Sequence, residues 1–239
     1  TLLQDAETKY EQAERIYDYI KKELDWVGYN SKYSGRGNRE IFNQNKGNSS
    51  GEINISLITM LRAADFKAIP VILSTRDNGR VYPTHPTTDQ FNYLIAKVTV
   101  EDKVIYMDAT DKLLPMGMLP ERCYNNVFRE INPSSGKLIE VKPTGKDKYV
   151  AMYTISISDD EIHGKADKIY YEYAAYNLRK DIEKIGDTED YIKDFEENSI
   201  GIVYNDHEIM NYKELDKEMK EKYVFETSED ILRTGDMIY

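Results

Sequence analysis

Residues 47–76 read G-N-S-S-G-E-I-N-I-S-L-I-T-M-L-R-A-A-D-F-K-A-I-P-V-I-L-S-T-R, and this stretch limits the fold more than any other. Ser49 followed three residues later by Glu52 has the spacing of a capping box, which marks a helix start. Beyond it, Ile53, Ile55, Leu57, Ile58, Met60 and Leu61 cover most of the helix circumference. A helix that is apolar nearly all round belongs inside a domain rather than on its surface. Residues 68–73 then form a short continuous apolar run, with Pro70 near its start, and predict a buried strand.

Around this pair the other elements of the first part can be placed. Tyr10, Ala13, Ile16, Tyr17, Ile20 and Leu24 recur at helical spacing and predict an amphipathic helix within residues 5–26. Residues 28–48 are polar and rich in Gly, Asn and Ser, which predicts a loop with a short helix at 39–44. Residues 91–100 alternate and pair with 104–107 through a tight turn at Glu101-Asp102, giving an antiparallel sheet behind the buried helix. Pro115, Gly117 and Pro120 keep residues 109–126 irregular, and Asn132 to Gly136 mark a turn.

Three blocks in this order resemble the core of transglutaminase-like proteins, members of the papain-like cysteine peptidase superfamily. The first is Gly47-x-x-Ser50-x-Glu52 with the apolar helix ending in Leu61-Arg62 and an Ala-x-x-Val strand. The second, Phe91-Asn92-Tyr93-Leu94-Ile95-Ala96, is similar to the strand that carries the family's histidine. The third, Tyr106-Met107-Asp108-Ala109-Thr110, is similar to the strand that ends in its aspartate. Leu73-Ser74-Thr75-Arg76 and Leu119-Pro120-Glu121-Arg122 resemble a subgroup found in multidomain bacterial envelope proteins. The resemblance covers residues 1–139. It implies an α+β fold with a papain-like core, a periplasmic or cell-surface location, and a groove near Ser50 that takes peptide or protein segments.

Ser50 stands where the family has its nucleophilic cysteine, and Tyr93 stands where it has its histidine; Asp108 matches. A helix N-terminus favours an anion by up to about 2 kcal/mol, or about 1.5 pKa units. That helps a thiol starting near ~8.5, but a hydroxyl starting nearer to water at ~15.7 is left many units short. Serine therefore needs a general base. Tyr93, with an ordinary pKa near ~10, is neutral at pH 7 and cannot be one. The positions read as a degenerate triad with no catalytic residue. Each also has a plain structural role: serines start helices, a strand tyrosine packs its ring, and an aspartate holds a turn. The rival reading is a hydrolase or acyltransferase with an altered constellation, using Ser50, or Cys123 with His85 and Asp108 if two loops converge.

The net charge of −11 is carried entirely by one half. Residues 1–139 hold 18 acidic and 18 basic side chains, and residues 140–239 hold 25 and 14, which predicts a boundary near 140. The acidic half argues against nucleic acid as a partner. A single cysteine excludes an internal disulfide. His85, His163 and His207 lie in no metal-ligand spacing, and no phosphate-cradling glycine loop is present, so neither metal nor cofactor is expected. Asp159-Asp160-Glu161 and Glu196-Glu197 read as solvated turns rather than calcium sites. No apolar run reaches the ~18 residues of a membrane span. The start at Thr1 and the strand-like Asp236-Met237-Ile238-Tyr239 read as an excerpt of a longer protein.

The second part, 140–239, reads as a β-rich accessory domain with a helical insertion, short of a strand that the longer protein supplies. Strands are expected at 149–158 and 164–173 around the Asp159–Glu161 turn, then at 200–204 and 223–227. Helical signals occupy 177–197, broken near Gly186-Asp187, and 212–222, which is rich in Lys and Glu.

Overall fold

The hydroxyl of Thr8 accepts from the Glu11 N–H and opens the first helix, α1 (Lys9–Glu23). Ala13, Ile16, Tyr17 and Ile20 on its inner face are buried. This computed structural model describes residues 2–84, 87–132, 136–158, 161–228, 233–234 and 237–238. The chain divides into two units, Thr1–Thr144 and Gly145–Tyr239.

In the first unit a short parallel pair joins β1 (Asp25–Trp26) to β2 (Lys46–Gly47), with α2 (Asn38–Asn43) between them in sequence. The buried helix follows as α3 (Ser50–Ala63), and Ser49 caps it by accepting from the Glu52 N–H. Half of the capping box differs from expectation. The Glu52 carboxylate accepts from the Asn48 N–H and is gripped by Arg36, 2.6 Å from Nη2. Ile53, Leu57 and Leu61 are fully buried, and truncating such a side chain to alanine costs about 2–5 kcal/mol.

Five strands form the antiparallel sheet in the order β5-β4-β3-β6-β7: β3 (Lys67–Leu73), β4 (Tyr93–Val100), β5 (Lys103–Met107), β6 (Val127–Glu130) and β7 (Leu138–Glu140). The turn between β4 and β5 places Glu101 and Asp102 at φ of 47° and 65°, as a tight hairpin with two left-handed residues requires. Pro70 is tolerated in β3 because the ladder to β6 begins only at Val71, and its own carbonyl accepts from the Ile131 N–H. Ala68, Ile72, Leu94 and Ala96 point to the α3 side, into the main core. Val71, Leu73, Tyr93 and Ile95 alternate to the other face, against Cys123 and Phe128.

β6 and β7, on either side of the segment 132–136 where the sequence predicts a turn, are not among the strands expected from the sequence. β6 and β7 flank that segment and pair with each other; residue 139, the expected end of the first domain, lies within β7, and the two units divide between Thr144 and Gly145. Within the turn, residues 133–135 lie outside the described residues, as does His85.

The second unit is a four-stranded antiparallel sheet in the order β10-β11-β9-β8 with two helices. A long hairpin pairs β8 (Asp147–Ser158) with β9 (Glu161–Tyr171), and Asp159 and Asp160 of its turn lie outside the described residues. α4 (Glu172–Ile185) and α5 (Thr188–Glu197) follow, the latter capped by the Asp187 carboxylate. Then come β10 (Val203–Met210) and β11 (Met219–Thr227), and the short pair β12 (Arg233–Thr234) and β13 (Met237–Ile238).

The expected helix at 212–222 does not form. Buried Arg179 donates to the carbonyls of Asn211, Tyr212, Glu214 and Lys217, so this segment wraps around a guanidinium instead of coiling on itself. From Met219 onward the burial period is two: Met219, Glu221 and Tyr223 point inward.

Candidate functional site

The pairing of Ala96 with Met107 sets Asp108, just past the end of β5, beside the start of β4. Tyr93, the first residue of β4, reaches it there. Its hydroxyl donates to Asp108 Oδ2 at 2.8 Å and lies 2.9 Å from Thr110 Oγ1. Both Tyr93 and Asp108 are fully buried.

The other carboxylate oxygen, Oδ1, accepts from Asn54 Nδ2 at 2.8 Å and from the Thr110 N–H at 3.1 Å. Asn54 sits in the second turn of α3. Its amide also donates to the Leu94 carbonyl, and its Oδ1 accepts from the Ala109 N–H. One side chain thus bolts the buried helix to both β4 and the segment after β5. From the other direction, the Tyr17 hydroxyl of α1 contacts the carbonyls of Asp108 and Leu114.

Arg122 closes the cluster. Its guanidinium stacks 4.6 Å from the Trp26 ring and 5.4 Å from the Tyr93 ring. Nη2 donates to Tyr93 Oη at 3.0 Å and Thr110 Oγ1 at 2.7 Å, and lies 3.6 Å from Asp108 Oδ2. Burial works against the arginine's charge, but Tyr93 and Asp108 more than offset it and raise its pKa. Burial and the neighbouring Asp108 charge push the Tyr93 phenol well above its ordinary value, so it stays a neutral donor. Cys123 points into the same cluster, Sγ 3.8 Å from Asp108 Oδ2, and burial followed by that carboxylate keeps it a protonated thiol.

Ser50 occupies the first turn of α3, as the sequence predicts, but bonds to neither Tyr93 nor Asp108 among the described residues. Its hydroxyl donates to the Ser31 carbonyl at 2.9 Å and accepts from the Ser31 N–H at 3.0 Å. Its own N–H donates to the Tyr29 carbonyl. Ser49 Oγ donates to the Tyr33 carbonyl, so residues 29–33 lie across the start of the helix. The approach is close enough to need glycine at the next position: a Cβ on Gly51 would sit 2.3 Å from the Tyr33 carbonyl oxygen. Ser50 is fully buried beneath this loop.

Two of the three triad positions therefore meet, and the third is held one helical turn from Asn54. His85, weighed as a partner of Cys123, lies outside the described residues. Asn54, Thr110 and Trp26 are members of the cluster that the sequence reading missed. A signal for Asn54 was present: a lone amide in a helix apolar on every side must find buried partners. Among the described residues no group of three or more His, Cys, Asp or Glu could hold a metal ion. No helix among them is long and apolar enough to cross a membrane.

Residues 1–109 match the family model described as the transglutaminase-like superfamily. No curated protein matches the sequence. A solved structure of a protein described as a candidate protease, from Parabacteroides distasonis ATCC 8503, is similar with a TM-score of 0.44 at 11% identity. That alignment covers 95% of this chain and 48% of the other, so the chain spans about half the length of the structure it matches. The matched segment holds the buried helix α3 and the hairpin of β4 with β5, and over these residues the first unit is similar to the transglutaminase-like superfamily.

Proposed function

We propose that the first unit is a non-catalytic transglutaminase-like domain, whose inherited catalytic positions have become part of the fold. It serves as a scaffold, or as a module that holds a peptide or protein segment, within a larger bacterial envelope protein. The observation that carries this reading is the state of Ser50: buried, with its hydroxyl proton given to the Ser31 carbonyl and its lone pair occupied by the Ser31 N–H. A serine nucleophile needs a base to take its proton, and no base bonds to this one among the described residues. Asp108 is likewise spent, since it accepts from Tyr93, Asn54 and the Thr110 N–H at once. The envelope location rests on the resemblance of the Leu73–Arg76 and Leu119–Arg122 blocks to an envelope subgroup.

The rival reading, a thiol hydrolase centred on Cys123, gains one observation: the thiol and Asp108 do converge. Burial counts against it, because the reactive form is the thiolate and this thiol is held protonated. Assaying the full chain on casein and a dipeptide panel, for both cleavage and amine transfer, tests the two readings together. No rate above background is expected. A rate abolished by Ser50→Ala or Cys123→Ser would overturn the non-catalytic reading, and the variant that abolishes it would name the nucleophile. Fractionation of cells producing the full-length protein tests the location.

A further inference from the structure

The face of the sheet that carries α3 is not wholly covered by it. Beyond Asn54, where α3 runs over β3 and β4, a cavity of about 410 Å³ opens between helix and sheet. Ile55 and Ile58 of α3, Ile72 of β3 and Leu94 of β4 form its aliphatic wall, with Pro70 and Ile131 at the side. The size is that of a small-molecule site. None of these residues belongs to the Asp108 cluster.

The charged residues lining it are two cations, Lys32 and Arg62, and no acidic side chain lines it. Neither cation is ion-paired among the described residues. Lys32 Nζ donates to the carbonyls of Thr88 and Phe91, and Arg62 uses its Nε on the Ala68 carbonyl. The two stand at opposite ends: Lys32, also over the Tyr33 ring, is held beside Phe91 just before β4, and Arg62 beside Ala68 at the far end of the β3–β4 ladder. An apolar wall ending in a cation without an acidic partner is complementary to a molecule with an aliphatic body and an anionic head.

The backbone around the cavity narrows the choice further. β3 is paired to β4 throughout and to β6 from Val71 onward, with the Ala68 carbonyl on its open edge taken by Arg62, and β4 is paired to β3 and β5. The carbonyls of Thr88, Pro70 and Tyr33 already accept from Lys32, Ile131 and Ser49. A peptide lying here would bury its amides without partners, whereas an alkyl chain has none to satisfy. We infer that the first unit binds an aliphatic carboxylate, its chain between α3 and the sheet and its head group on Arg62 at one end of the cavity.

The test is titration of the full chain with hexanoate, octanoate and decanoate below their micellar concentrations, followed by isoleucine methyl NMR and calorimetry. Decanol, acetate and an apolar peptide with a free C-terminus are the comparison ligands. Decanoate is expected to shift the methyls of Ile55, Ile58, Ile72 and Ile131, and to bind more tightly than decanol or acetate. Arg62→Gln is expected to weaken decanoate binding by about tenfold or more while leaving decanol unchanged. Arg62 is exposed, and folding of that variant is checked by its unchanged circular dichroism. Decanoate that leaves these methyls unmoved, or that binds equally well to the charge variant, overturns the inference. So does tighter binding of the peptide at the same methyls.

Discussion

Tyr93 donates its phenolic proton to Asp108 across 2.8 Å, and the same oxygen accepts from Arg122 at 3.0 Å. A tyrosine thus completes a buried network with Asp108, Asn54, Thr110 and Arg122, in which the Arg122 Nε–H is left without a partner among the described residues, and the cation over the ring offsets the carboxylate. Such networks fix one arrangement of a core, and a single deletion leaves a buried group unsatisfied.

Tyr93→Phe keeps the ring and removes only that hydroxyl. Asp108 Oδ2 then retains the weak Cys123 thiol and the more distant Arg122. The loss should be about 1–3 kcal/mol. Trp26, the chain's sole tryptophan, lies 6.4 Å from the Tyr93 ring, so its fluorescence during urea unfolding reports this site directly. A change under about 0.5 kcal/mol, the size of an ordinary surface substitution, would show that the network is not structural.

Ser50→Cys alone should produce no peptidase or transglutaminase activity. The thiol would inherit a buried place between the Ser31 groups, with no imidazole to form a thiolate pair. Ser50→Cys with Tyr93→His restores the residue types that the family resemblance implies, and any thiol-dependent rate should appear in that double variant first. Clear turnover by the single variant on the casein and dipeptide panel would reveal a base that these contacts do not include.

Gly51→Ala tests the loop that covers Ser50. The added Cβ would meet the Tyr33 carbonyl oxygen at 2.3 Å, against backbone that cannot rotate away. Residues 29–33 should be forced off the helix start at a cost of about 1–3 kcal/mol, despite alanine's better helix propensity. Urea unfolding measures the cost, and amide hydrogen exchange at Ser31 and Ser50 locates it. A stabilised variant with unchanged exchange would mean the loop does not press on the helix.

The start of α3 was readable because Ser49 caps locally, and local chemistry leaves a local signal. The meeting of Tyr93 with Asp108 was readable only through the family resemblance, since the residues are brought together by hairpin register. Ser50 misled for the same reason: its place in the helix was correct, but its partner Ser31 comes from a loop whose path no periodicity encodes. β6 and β7 escaped because they are short strands flanking a turn that also resembled a linker. Residues 212–222 were misread because four of the surrounding carbonyls answer to Arg179, far away in sequence. Charged residues with helical propensity lose to such a tertiary demand.

The last prediction concerns the acidic second unit, where Glu221 is fully buried. Its carboxylate accepts from Tyr170 at 2.7 Å, is ion-paired with Lys168 at 3.1 Å, and lies 3.1 Å from His207 Nε2. Burial alone would raise its pKa, but these partners more than offset that and hold it below the ordinary carboxylate value. Its ionisation therefore stabilises the fold above the unfolded value of ~4.3, and that contribution is lost as pH falls through the lower folded value. For Lys168, burial opposes the charge and Glu221 restores it, pushing the ammonium up to about 12. Its contribution is complete below the unfolded value of ~10.4 and fades as pH rises toward that folded value. Between roughly pH 5 and 10 the pair should give a flat plateau. Glu221→Gln should lower that plateau by about 3–5 kcal/mol, because it strands a nearly buried ammonium. It should also remove part of the acid limb and narrow its deficit at high pH, where Lys168 loses its proton. Urea midpoints across pH, read by tyrosine near-ultraviolet circular dichroism, give both curves. Parallel curves at every pH would show that Glu221 acts through shape and not through charge.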